Sequence, residues 1–224
     1  PEFIAPPAPA PAPRDTGTRS ARATIAKDTL AAIDAGFYVN ARGERVALVI
    51  ADTVAGTALV EPGQLAPTRR AARATAITVT GESTVAALRR LAGRGHVACL
   101  NFASAKNPGG GFLGGAQAQE EALARSSALY PCLLAAPGYY ARNRAHDSNA
   151  YLDLAVFSPR VPFFRDDAGA WLDAPVLASV ITCPAPNAGA MGSNHGHDLR
   201  AIFRLRGALV LDIACHHPVD PLVL

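Results

Sequence analysis

Val97-Ala98-Cys99-Leu100-Asn101-Phe102 is an almost unbroken apolar run, followed by Gly109-Gly110-Gly111 and then by Gln119-Glu120-Glu121. A strand that is apolar on both faces is covered on both faces, as parallel strands between helical layers are. The glycines let backbone N–H groups approach a ligand without side chains in the way. The acidic pair suits the first turn of a helix, where the dipole favours negative charge. Buried strand, glycine loop and helix start, in that order, mark a ligand site at the carboxyl edge of an open α/β sheet. The N–H groups of such a loop, together with a helix N-terminus, suit a diphosphate. The loop is neither Gly-x-Gly-x-x-Gly nor a Walker sequence, because no Lys-Ser/Thr follows the last glycine, so nucleotide hydrolysis of that type is disfavoured.

The flanking segments read as the same class. Ala21 to Ala35 places Ile25, Leu30, Ala32 and Ile33 at near-helical spacing and stops before Gly36. Short β-branched runs follow at 45–50, 57–60 and 76–80. Ser83 is the expected cap of a helix with Val85, Leu88 and Leu91 inside and Arg89 and Arg90 outside. A helix opened by Glu120 is expected to reach about Leu129. Strands are expected at 152–157, 161–164 and 175–183, with a turn at Asp166-Asp167-Ala168-Gly169 that Trp171 anchors. A helix at 198–215 and the start of a last strand at 222–224 complete the pattern. Strands alternating with helices predict an α/β fold with a mostly parallel or mixed sheet. Alternating Pro and Ala cannot pack a core, so residues 1–18 are expected to form a disordered leader that opens on a cloning scar, Pro1-Glu2-Phe3. The folded domain is expected over 19–224.

Composition removes several alternatives. A chain that is 50% hydrophobic is not globally disordered. Lys and Arg number 21 against 18 Asp and Glu, a net +3 too weak for a DNA-binding surface. Mean hydropathy is +0.14, yet the long charge-free stretch 174–197 contains Pro175, Pro184, Pro186, Gly189 and Gly192, which no bilayer-crossing helix tolerates. Glu2 and the Pro/Ala tract give no secretory signal. Cys99, Cys132, Cys183 and Cys215 show no Cys-x-x-Cys spacing and read as buried, reduced thiols of a cytoplasmic protein. His195, His197, His216 and His217 lack zinc-like partners and read as surface residues. Tyr139-Tyr140 can stack on a base or pack a loop. The clusters Arg69, Arg70, Arg73 and Arg89, Arg90 either attract a polyanion or are solvated helix faces.

The Gly-Gly-Gly, spacer, Gln-Glu-Glu string resembles the signature of the poly(ADP-ribose) glycohydrolases. Residues 101–133 as a whole resemble the microbial type of that family, as do VITCPAPNAGA at 180–190 and KDTLAAIDAGFYV at 27–39. The resemblance covers 19–224. It implies a macrodomain-like three-layer α/β/α sandwich with a mixed sheet and extra N-terminal helices. It also implies cleavage of ribose–ribose O-glycosidic bonds with release of ADP-ribose, without metal or organic cofactor. Glu121 would be the general acid/base, with Glu120 and Gln119 orienting the scissile ribose. Asn107 and the Gly109–Gly111 backbone would hold the distal ribose and diphosphate, with Pro108 and Phe112 in the same ADP-ribose-binding set. Asn187 is either a further contact or a cap for the turn after Pro186. The implied partners are poly(ADP-ribose), ADP-ribose and ADP-ribosylated proteins, met by a monomer that touches neither DNA nor membrane.

A general acid wants a raised pKa, whereas a helix N-terminus lowers one, so Glu121 is expected to be partly shielded and near a second negative group. In the family a second glycine-rich loop with an aromatic residue follows the last buried strand. Leu224 falls where that loop would begin, so the domain is expected to be truncated at its C-terminus. A non-catalytic ADP-ribose-binding macrodomain and a mono-ADP-ribosyl hydrolase are the two other readings.

Overall fold

The computed structural model describes residues 17–66, 75–191 and 198–224. The N-terminal leader up to residue 16, Arg69, Arg70, Arg73, His195 and His197 therefore lie outside the described residues. Helix α1 (Arg19–Ala35) begins at Thr18, whose hydroxyl accepts the Ala21 N–H at 3.2 Å. It is followed by strands β1 (Phe37–Val39) and β2 (Arg45–Ala47), the short helix α2 (Ala51–Ala55) and strand β3 (Ala58–Val60). Next come α3 (Thr84–Leu91), β4 (Ala98–Ala103), α4 (Gln119–Ser126), α5 (Leu129–Leu134) and α6 (Pro137–Ala145). The chain ends with β5 (Ala155–Arg165), β6 (Trp171–Pro184), α7 (Leu199–His216) and β7 (Leu222–Val223).

Five strands form one mixed sheet in the order β3-β5-β6-β4-β7. The apolar run of β4 pairs in parallel with β6 and β7, and β5 joins β6 as a long antiparallel hairpin. Cys99, Val156, Val161, Phe163 and Val180 face a layer built from Val85, Leu88, Leu123, Leu129 and Leu133 of α3, α4 and α5. Ala98, Phe157, Ile181 and Cys183 face Leu209, Val210 and Ile213 of α7. The result is the three-layer α/β/α sandwich with a mixed sheet, to which α1 and the β1–β2 hairpin add an extra N-terminal layer packed on Phe164 and Trp171.

Several boundaries differ from the sequence reading. Residues 45–47 do not join the main sheet; β2 pairs only with β1, a strand the apolar pattern did not reveal. Residues 76–80 form no ladder, only an isolated bridge at Ile77, and Ile77 and Val79 stay exposed. The expected strands at 152–157 and 161–164 are one strand, bent by a bulge between Ser158 and Val161. Helix α4 stops at Ser126, because Ser127 turns away to bridge Phe163 of β5. Cys132 is buried and Cys215 is exposed, since α7 turns Cys215 away from the sheet. Burial pushes the Cys99 and Cys183 thiols up to about 12 and Cys132 up to about 11, so all three stay protonated. Tyr139 and Tyr140 are fully enclosed under the sheet and pack edge to face at 4.8 Å, which leaves no ring surface for a base. Trp171 does anchor its turn: the Arg165 guanidinium lies 3.3 Å over its ring, and Tyr38 stacks on it at 5.1 Å.

Candidate active site

The carboxyl end of β4 and the first turn of α4 bring the two glutamates to the glycine loop. Gln119 starts the helix and binds it to the strand. Its Oε1 accepts the Phe102 N–H at 2.9 Å, and its Nε2 donates to the Leu100 carbonyl at 2.6 Å. These two groups lie on β4 just beyond its pairing with β7 at Ala98 and Cys99, so Gln119 completes that strand edge. Its carboxamide is thus taken up by β4, and Nε2 also reaches Thr84 at 3.4 Å.

Glu120 turns inward and is 3% exposed. Its Oε2 accepts the Ser104 N–H at 2.7 Å. Its Oε1 is buried without a partner, and so is Oδ1 of the neighbouring Asn101. Burial dominates its electrostatics and pushes the carboxyl up to about 7, helped by the negative charge of Glu121 and opposed by the Ser104 N–H and Asn101. Desolvation therefore outweighs the helix dipole at this position. Glu121 is half-buried and points at the loop, where its Oε1 accepts the Gly111 N–H at 3.0 Å. Its other oxygen carries no hydrogen bond among the described residues.

The loop is shaped by its own backbone. Asn107 is exposed; its N–H donates to Ser104 Oγ at 3.0 Å and its carbonyl accepts the Gly110 N–H at 3.0 Å. Pro108 is half-exposed beside it. Gly110 has φ +58°, and a Cβ there would run into the Glu121 carboxylate. Gly109 covers the Phe112 ring, which a Cβ would meet at 2.9 Å. Phe112 itself is 1% exposed and packs with Ala26 and Ala124, tilted on Tyr130 at 4.8 Å. Its ring is a core element beneath the loop. Asn187 sits past the end of β6 and caps its own turn, its Oδ1 accepting the Ala190 N–H at 3.3 Å, which is the alternative role the sequence left open.

Residues that the sequence did not single out complete the surroundings. A cavity of about 400 Å³ lies beside α4, lined by Glu82, Thr84, Gln119, Arg125, Asp166 and Asp167 among others. Arg125 stands one turn from Glu121 and donates to the Ala116 carbonyl at 2.6 Å, an i, i+4 relation visible in the sequence once α4 is placed. No group of three or more His, Cys, Asp or Glu that could hold a metal occurs among the described residues.

The family model described as the catalytic domain of microbial-type PARG, poly(ADP-ribose) glycohydrolase, matches residues 26–166. The chain belongs to this family. Among solved structures, the poly(ADP-ribose) glycohydrolase of Thermomonospora curvata bound to the inhibitor ADP-HPD is 44% identical, with a TM-score of 0.84 over 92% of this chain and 78% of that one. The same protein without that inhibitor in its description is 42% identical, with a TM-score of 0.83 over 92% and 79%. A point mutant of poly(ADP-ribose) glycohydrolase from Deinococcus radiodurans in complex with ADP-ribose is 44% identical, with a TM-score of 0.71 over 78% of this chain and 74% of that one. No curated protein gives a significant match. In this glycohydrolase chain the whole loop, both glutamates and the walls of the cavity except Ile25, Asp167 and Gly169 fall inside the matched residues.

Proposed function

We propose that the chain is a poly(ADP-ribose) glycohydrolase in which Glu121 is the general acid and base. The observation that carries this is the Glu121 carboxylate, fixed over the glycine loop by the Gly111 N–H, with no hydrogen bond to its second oxygen among the described residues. Cleavage of a ribosidic bond passes through an oxocarbenium-like state and needs a proton on the leaving oxygen. Glu121 supplies that proton as the C1–O bond breaks. Once ionised, it takes a proton from the water that attacks the sugar carbon. Glu120 is held too deep to reach the leaving oxygen; it supports the loop through Ser104. Gln119 is a positioning residue, locking α4 to β4.

The ligand chemistry follows from the same geometry. Backbone N–H groups of the glycine loop suit a diphosphate, and the loop's Asn107 flank suits a ribose. Solved relatives described as bound to ADP-ribose and to ADP-HPD support this reading. The protonated thiols of Cys99, Cys132 and Cys183 support a cytoplasmic setting.

The test is release of ADP-ribose from purified poly(ADP-ribose), with Glu121→Ala beside the parent chain. The substitution should lower the rate by at least about 100-fold while ADP-ribose still binds. Undiminished release by the variant would remove Glu121 from the chemistry. Binding without release by the parent chain would leave a non-catalytic ADP-ribose reader.

A further inference from the structure

The glycine loop is gripped from outside the sandwich. Arg19 Nε donates to the Gly114 carbonyl at 2.8 Å, and Arg22 Nε donates to the Gly115 carbonyl at 2.9 Å. Arg125 of α4 takes the next carbonyl, Ala116. Three successive carbonyls are therefore held by three guanidinium groups, two of them from α1. The contact is close enough that the backbone itself is fitted: Gly115 has φ +72°, and a Cβ there would overlap the Arg19 carbonyl oxygen. Behind the loop, Phe112 is packed against Ala26 of α1, so the brace has a polar and an apolar part.

The grip connects to the proposed acid through few atoms. The Ala116 N–H donates to the Gly111 carbonyl at 3.1 Å, and the Gly111 N–H donates to Glu121 Oε1 at 3.0 Å. Gly111 is thus fixed on its carbonyl side by the residue that Arg125 holds, and on its N–H side by Glu121. If residues 114–116 slide, Gly111 turns and the carboxylate loses its only described anchor. Arg19 is exposed, and its side chain's one hydrogen bond among the described residues is the one to the Gly114 carbonyl.

We propose that α1 is a brace for the catalytic loop, with Arg19 and Arg22 as positioning residues that set the Glu121 carboxylate through Gly114, Gly115, Ala116 and Gly111. The proposal rests on Glu121 being the acid and base, but the brace itself is tested without turnover. Misplacing a catalytic group by about 1 Å costs up to about 100-fold in rate. The double variant Arg19→Ala/Arg22→Ala should therefore lose about 10- to 100-fold in kcat on poly(ADP-ribose), with KM changed less than about threefold. Amide hydrogen exchange should accelerate at Gly111 and Ala116, whereas β5 and β6 amides keep the parent rates. Arg19→Lys/Arg22→Lys keeps the charge but not the Nε geometry and should recover only part of the loss.

Unchanged exchange at Gly111 and Ala116 would overturn the brace, whatever the activity shows. Acceleration spread equally over β5 and β6 would also overturn it, because the arginines would then be general stabilisers. Local acceleration with unchanged kcat would show that the grip exists but does not set the carboxylate, which overturns the positioning role. A parent chain without glycohydrolase activity would refute the functional reading alone, since the exchange comparison still decides the brace.

Discussion

Gly110 shows how little freedom single residues have at this site. Its φ of +58° is a conformation that L side chains rarely adopt, and the space a Cβ needs is filled by the Glu121 carboxylate, with Glu120 Oε2 at 3.2 Å. Gly110→Ala therefore meets two penalties at once, backbone strain and displacement of the proposed acid. It should cost about 1–3 kcal/mol in stability and at least about 10-fold in kcat. Urea unfolding and the ADP-ribose release assay read the two effects separately. A variant with parent-like values in both would mean that the carboxylate moves aside freely, against the fixed position described here. At the same scale, distant partners set burial. Phe112, which the resemblance places in the ADP-ribose-binding set, has its ring drawn down by Ala26 and Ala124, which are 86 and 12 positions away in the chain. Nothing local in the sequence announces that.

At the scale of elements, long-range ties decide where the loops at the carboxyl edge stand. Arg206 of α7 is 4% exposed and reaches across to the start of β5 and the end of β6. Its Nε donates to Asp153 at 2.9 Å, its Nη1 to the Pro184 carbonyl at 2.9 Å and its Nη2 to the Tyr151 carbonyl at 3.0 Å. Tyr151 holds φ +60°, an unfavourable backbone for a tyrosine, and the Arg206 bond helps to keep it there. Arg206→Ala leaves buried carbonyls and Asp153 without their donor and should destabilise by about 3–5 kcal/mol. Chemical denaturation checks this, and a loss below about 1 kcal/mol would mean that water replaces the guanidinium. Such ties also mark the limit of sequence reading. The cap at Ser83, the β4 run and the glycine loop are written in neighbouring residues, and they appear where the pattern puts them. The β1–β2 hairpin, the bulge in β5 and the grips of Arg19, Arg22 and Arg206 depend on partners far along the chain, which periodicity does not report.

For the whole molecule, buried titratable groups pull stability in opposite directions with pH. Burial lifts Glu120 from 4.5 to about 7, so the folded chain keeps a proton that the unfolded chain loses. Its contribution is complete below the unfolded value and declines as pH rises toward about 7. His96 and His217 are both lowered from 6.5, first by burial and then by Arg160 and by His216 respectively. The unfolded chain therefore takes up protons first on acidification, and stability declines as pH falls below about 6.5. Between about pH 5 and 6.5 the two slopes oppose each other, and the parent chain should show a shallow profile. Glu120→Gln removes one of them. Its amide oxygen can keep the Ser104 N–H, and its NH2 offers a donor to the unpartnered Asn101 Oδ1. The variant should lose the alkaline decline and gain up to roughly 3 kcal/mol over the parent at pH 8. Its stability should climb steadily from pH 5 to 7 on the histidine slope alone. Urea unfolding at pH 5, 6, 7 and 8 for both chains tests this. Parallel curves would show that Glu120 does not titrate in this range, and that its inner oxygen is satisfied by a donor other than its own proton.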